Sequence, residues 1–187
     1  YTLNWLNAVS CYLTQEQILL LSTFNFIEKI QKVKSIKYIE KEKIEETSVI
    51  GKFGVKSIEE LNYGSSYQQL LLSDIPKIHN ENITGKGVRI GLFDSGFDWR
   101  KHESLTNSRV IAEWDFVFND SITYNEQNDI ASQHNHGTYV FSIIGGFKPG
   151  SLIGSSFESE FILAKTEDTR SEKHIEEDNF VAALEWM

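Results

Sequence analysis

An open α/β fold with a parallel sheet is what this sequence predicts, on three observations. "VRIGLFD" (88–94) is a continuous, largely apolar run of the kind that parallel sheets bury on both faces. Strand patterns then alternate with helix patterns along the rest of the chain, as crossover connections require. The composition, 40% hydrophobic and 24% charged over 187 residues, is that of a soluble globular protein with room for one substantial core.

Charge and cysteine content narrow the function classes. A formal net charge of -9 argues against a general nucleic-acid binder, because contact with phosphates needs a basic surface. The lone cysteine, Cys11, rules out an internal disulfide framework. No apolar run approaches the roughly 20 residues of a membrane span, and no basic-then-apolar leader opens the chain. Its ends, "YTLNWLN" and "ALEWM", predict a piece of a longer polypeptide.

Taken in order, residues 1–39 form a first unit. "WLNAVSCYL" (5–13) alternates, with Trp5, Val9, Cys11 and Leu13 on one face of a half-buried strand. Thr14 and Gln17 have capping-box spacing at the head of a helix whose apolar face is Ile18, Leu19 and Leu21. "FNFIEKIQKV" (24–33) reads as a second strand, so the unit is strand, helix, strand. Residues 40–62 mix Lys and Glu around Gly51 and Gly54 without a long apolar period, which predicts a solvated connector open to proteases.

Residues 63–187 form the second unit. "YQQLLLSDIPKIH" (67–79) predicts a short helix stopped near Pro76; "NITGKG" (82–87) is a turn into the strand at 88–94. "RVIAEWDFVF" (109–118) is another strand, followed by a polar loop at 119–135. A helix is expected from about His136 to Ile144, with Tyr139, Val140, Ile143 and Ile144 facing inward. "FILAKT" (161–166) supplies a third strand, and "EEDNFVAALEWM" (176–187) a last helix with Phe180, Val181, Leu184 and Met187 on one face.

In open α/β sheets the chemical groups collect beyond the carboxyl ends of the strands. Asp94 sits there, before a turn at Gly96, as either a functional carboxylate or a cap. His136 opens its helix, where the dipole disfavours the charged ring and a neutral imidazole can act as a base. Three readings compete for these residues, beside the bland one in which His136 merely packs near Thr138. One is a metallohydrolase site in which His134 and His136 form an H-x-H and Asp94 or Asp168 completes the ligands. Another is phosphate chemistry on "DSGFD", with Asp94 as nucleophile, although no downstream Lys and acidic motif stand out. The third is an acid–base pair that serves a nucleophile elsewhere.

The third reading is favoured by a resemblance. "GKGVRIGLFDSGFDWRKHESL" and "HNHGTYVFSIIGG" resemble the Asp and His motifs of subtilisin-like serine proteases, the subtilases. The resemblance implies that Asp94 orients and stabilises the imidazolium while His136 shuttles the proton. It assigns no role to His134 or Asn135. "GSLIGSSFESEFILAKTED" is similar to the family's turn and following strand, with Ser155, Ser156, Phe157 and Glu158 in place of the usual small residues and proline. By the same likeness Thr166, Glu167 and Asp168 would lie at the cleft edge and bind substrate. Residues 1–39 resemble part of a subtilase inhibitory propeptide, with 40–62 as processing region and 63–187 as the amino-terminal part of the peptidase domain.

The expected fold is thus the first part of a subtilisin-like parallel-sheet domain with helices on both faces, preceded by a partial α+β propeptide. The expected activity is a serine endopeptidase acting on proteins or peptides, made as a zymogen with its own propeptide as inhibitor and chaperone, and secreted or held in the cell envelope. No cofactor is needed for that chemistry and no metal ligands are assigned. Structural calcium is compatible with the family, with Asp98, Glu103 and Asp120 as available carboxylates. The family's nucleophile motif, G-T-S-x-A-x-P, is not found among the serines after His136, so the serine is expected beyond Met187 and the 187-residue chain alone is expected to be inactive. The rival of a different class is a pseudoprotease or protein-binding module with the same fold.

Overall fold

A computed structural model describes residues 1–33, 61–170 and 175–187. In chain order the elements are β1 (Thr2–Leu3), a 3-10 turn (Asn4–Leu6), β2 (Ala8–Val9), α1 (Gln15–Leu21), α2 (Tyr67–Leu71), α3 (Ile75–Asn80), β3 (Arg89–Asp94), β4 (Arg109–Asp115), α4 (Asn135–Gly145), β5 (Phe147–Lys148), β6 (Leu152–Ile153), β7 (Glu160–Lys165) and α5 (Ile175–Trp186). The predicted connector at 40–62 lies outside the described residues except for its last two positions.

The frame is a three-stranded parallel sheet in the order β3-β7-β4. β7 is central because its apolar run leaves no face that tolerates water, and five of its six residues are buried. β3 runs alongside it from Arg89 opposite Glu160 to Asp94 opposite Lys165, and β4 lies on the other side with a register shift between Val110 and Ala112. Side chains alternate across β7. Phe161 and Leu163 join Leu92, Phe97, Leu105 and Phe141 of α4 on one face. Ala164 joins Leu3, Phe116, Ala182 and Ala183 of α5 on the other. Helices therefore cover both faces, and the α/β class expected from the sequence holds at that level.

Both long helices turn a different side inward from the one their large apolar residues suggest. In α4 the buried positions are Gly137, Thr138, Phe141, Ser142 and Gly145, while Tyr139 and Ile143 are exposed. So close an approach selects for a missing side chain: a Cβ on Gly145 would stand 2.5 Å from the Phe161 ring. In α5 the buried positions are Asn179, Ala182 and Ala183, with Phe180 and, one residue past the helix, Met187 exposed. Small residues let each helix axis approach the sheet.

Three further expectations are corrected. The strand at 5–13 is replaced by the two-residue ladder of β1 with β2 around the 3-10 turn, because Asn7 is left-handed at φ 48° and reverses the chain. Residues 24–33 contain no strand, so the strand-helix-strand unit does not form. The helix at 67–79 is two helices broken at Asp74 (φ 55°), and Pro76 lies in the first turn of α3, where a missing N–H costs nothing. The capping box of α1 is as expected: Thr14 accepts from Gln17 N, and Gln17 Oε1 accepts from Thr14 N.

The amino-terminal turn docks on α5. Glu185 accepts from Asn4 N at 2.9 Å and Trp5 N at 2.7 Å, and Ser10 Oγ donates to Asp178 Oδ2. Leu3 is buried in one core cluster with Ala182 and Ala183.

Candidate functional site

Asp94 ends β3 at the carboxyl edge of the sheet, where the chain leaves through Ser95, Gly96 and Phe97, all buried. Its carboxylate is buried, and desolvation is offset by donors: Ser95 N and Ser95 Oγ reach Oδ1 at 2.7 and 3.0 Å. The main-chain carbonyl of Asp94 accepts from Thr166 N at 2.9 Å, which fixes the strand end against the exit of β7.

His136 occupies the first turn of α4. Its Nδ1 lies 2.9 Å from both carboxylate oxygens of Asp94. The His136 side chain is 71% exposed, while that of Asp94 is 7% exposed. Nδ1 is the ring nitrogen that meets the Asp94 carboxylate, and where it donates its hydrogen there, the neutral ring keeps its lone pair on Nε2. That is the tautomer a general base at Nε2 requires. The helix can bring His136 this close because Gly137 has no side chain: a Cβ there would stand 2.2 Å from Gly96 O and 2.9 Å from Asp94 Cβ.

The other histidine of the H-x-H, His134, does different work. Asn125 N donates to His134 Nδ1 at 3.0 Å, and His134 N donates to Asn125 Oδ1 at 2.9 Å. Burial pushes the His134 ring below the ordinary histidine value, consistent with a neutral acceptor. Thr138 Oγ1 donates to His134 O and accepts from Asp98 N, so the helix start is tied to the loop after β3. Asp98, Lys101, His102, His134, Thr138 and Tyr139 line an open hollow of about 250 Å³ beside the pair.

Of the residues expected at the cleft edge, Thr166 is buried and joined to Asp94 through its main chain, and Asn179 Nδ2 donates to its carbonyl at 3.0 Å. Glu167 O accepts from Gln133 Nε2 at 2.7 Å. Asp168 pairs with Arg170 through two nitrogens at 2.7 and 2.8 Å, so its carboxylate is matched by a cation within its own segment.

Metal-binding geometry lies elsewhere. Among the described residues, the ligand atoms of Asp94, His134 and His136 do not gather, whereas Asp115, Asp120 and Glu126 bring one oxygen each within 4.8 Å of one another. Those are hard oxygen donors of the calcium type. Asp115 Oδ2, however, already lies 2.8 Å from Lys165 Nζ, and Lys165 also donates to Asp129 at 2.8 Å. An ammonium thus supplies the positive charge there. Burial pulls the Lys165 ammonium down, but its bonds to Asp115 and Asp129 outweigh that and hold it above the ordinary lysine value. Burial, reinforced by Asp120 and Asp115, pushes Glu126 up.

Sequence reading did not single out Ser95, Asn125, Gln133 or Lys165. Gln133 and Lys165 work through bonds to segments distant in the chain, Asn125 closes a loop onto His134, and Ser95, part of the DSG stretch after β3, bonds its neighbour Asp94. Gln133 carried a signal only as a polar residue three positions ahead of His136. No protein-family model matches the chain, and no curated protein matches it.

Proposed function

We propose that this chain contributes the Asp and His of a serine endopeptidase of the subtilase type. The observation that carries the reading is the approach of His136 Nδ1 to both oxygens of buried Asp94 at 2.9 Å, on a His136 side chain that is 71% exposed. In this mechanism a serine hydroxyl attacks the scissile carbonyl and gives its proton to His136 Nε2. The imidazolium is stabilised by Asp94 and then protonates the leaving amine, and water repeats the cycle on the acyl-enzyme. Among the described residues no serine hydroxyl hydrogen-bonds the His136 ring, and the proposal places the nucleophile in the full-length protein outside these residues. It also reads residues 1–39 as part of an inhibitory propeptide, supported by the docking of Asn4, Trp5 and Ser10 on α5. The secreted or envelope location belongs to the same proposal.

The test is labelling of the full-length protein by a fluorophosphonate probe. Covalent labelling that disappears in His136→Ala and weakens in Asp94→Asn is the expected result. Wild-type protein that takes no label, yet binds a peptide, would turn the reading toward a pseudoprotease.

A further inference from the structure

We propose that Gln133 is a positioning residue that holds Asp94, His136 and the exit of β7 in one register. The inference rests on the reading of Asp94 and His136 as a catalytic pair. Gln133 is 1% exposed and ends the loop that leads into α4. Its Nε2 donates to Ser95 O at 2.7 Å and to Glu167 O at 2.7 Å. Its Oε1 accepts from Thr169 N at 3.0 Å and from Thr169 Oγ1 at 2.6 Å. The amide's two hydrogens and two lone pairs are all used. The partners also fix its orientation, because the flipped amide would set Oε1 against two carbonyl oxygens.

Each partner borders the pair. Ser95 is held at its carbonyl by Gln133, while its N–H and hydroxyl hold Asp94 Oδ1. Glu167 and Thr169 follow Thr166, whose N–H holds the Asp94 carbonyl. Gln133 itself stands three residues ahead of His136. A buried, fully satisfied amide is costly to disturb and so specifies one arrangement. Here that arrangement sets the distance between a carboxylate on one loop and an imidazole on another, and it joins the residues beyond β7 to both.

The experiment uses the full-length protein with Gln133→Leu, Gln133→Glu and the milder Thr169→Val. Two readouts are taken: the far-downfield proton NMR signal of His136 Nδ1–H, and kcat and KM on a peptide amide. Gln133→Leu is expected to broaden the proton signal through solvent exchange and to lower kcat about 10- to 100-fold, the scale of a misplacement near 1 Å. Gln133→Glu should match it at neutral pH and regain a sharp signal in acid, when the protonated carboxyl again has a hydrogen to donate. Thr169→Val, which removes one of the four bonds, should broaden the signal less. If Gln133→Leu does not fold, the other two variants decide. A sharp signal and wild-type kcat in the folded variants, with only a lower melting temperature, would overturn the inference. Absence of fluorophosphonate labelling alongside a Gln133-dependent proton signal would instead remove the protease reading and leave the positioning role standing.

Discussion

Gly137 faces Gly96 at a distance that admits no side chain: a Cβ on Gly137 would lie 2.2 Å from the Gly96 carbonyl oxygen. The helix that carries His136 is therefore pressed directly onto the loop that follows Asp94. Gly137→Ala must push α4 outward or twist the Gly96 peptide. A loss of about 1–3 kcal/mol is expected from overpacking, together with a broadened His136 Nδ1–H signal. Thermal melts and proton NMR check the two effects separately, and an alanine variant with both unchanged would show that the packing there is slack.

Asp94→Asn tests the proposed chemistry while sparing the shape. The amide can present either its oxygen or its NH2 group to His136 Nδ1. If the NH2 group faces the ring, the tautomer with Nε2–H is favoured and the base is lost. In the full-length protein kcat is expected to fall by about 10⁴-fold with little change in KM, the scale of the same change in a serine-protease triad. A fall below tenfold would mean that Asp94 merely caps the loop.

The Asp94–His136 contact was legible in the sequence because each member sits at a position with its own local signal. Asp94 follows an apolar strand and precedes a glycine turn; His136 heads an apolar helix. The packing faces were not legible, since periodicity weighs large apolar residues, whereas α4 and α5 bury their glycine and alanine sides. Lys165 illustrates the same limit. A lysine at the end of a strand reads as solvated, and only the folded chain brings Asp115 and Asp129 to it. The amino-terminal strands failed for a different reason: alternation in "WLNAVSCYL" suits a strand, but left-handed Asn7 ends the ladder after two pairs.

Glu113 offers a test of stability against pH. Its carboxylate accepts from Trp99 Nε1 at 3.1 Å and Thr123 Oγ1 at 2.7 Å, and it pairs with Arg100. Burial pulls its pKa up, but the bonds from Arg100, Thr123 and Trp99 outweigh this and leave it below the ordinary glutamate value of 4.5. A depressed carboxyl stabilises the fold above the unfolded value, and that stability is lost as pH falls through the lower folded one. Glu113→Gln is expected to cost about 1–2 kcal/mol at neutral pH, discounted for the half-exposed Arg100. The difference should vanish in acid, where the wild-type carboxyl is protonated. Denaturant melts across that range check it; a gap that persists below the folded value would assign the effect to shape rather than charge.

Lys165 gives the sharpest contrast between removing one charge and removing all three. The side chains of Lys165, Asp115 and Asp129 are 0%, 0% and 1% exposed, with the ammonium 2.8 Å from each carboxylate. Lys165→Met strands two buried carboxylates and is expected to cost about 3–5 kcal/mol. Lys165→Met combined with Asp115→Asn and Asp129→Asn leaves none of the three charged, so it should recover part of that loss. Asp115→Asn keeps Oδ1 as an acceptor for Val117 N and Phe118 N. Thermal denaturation of the single and triple variants decides the matter. A triple variant no more stable than the single one would mean that this trio matters for its hydrogen-bond geometry around the β7 exit, and not for its charge balance.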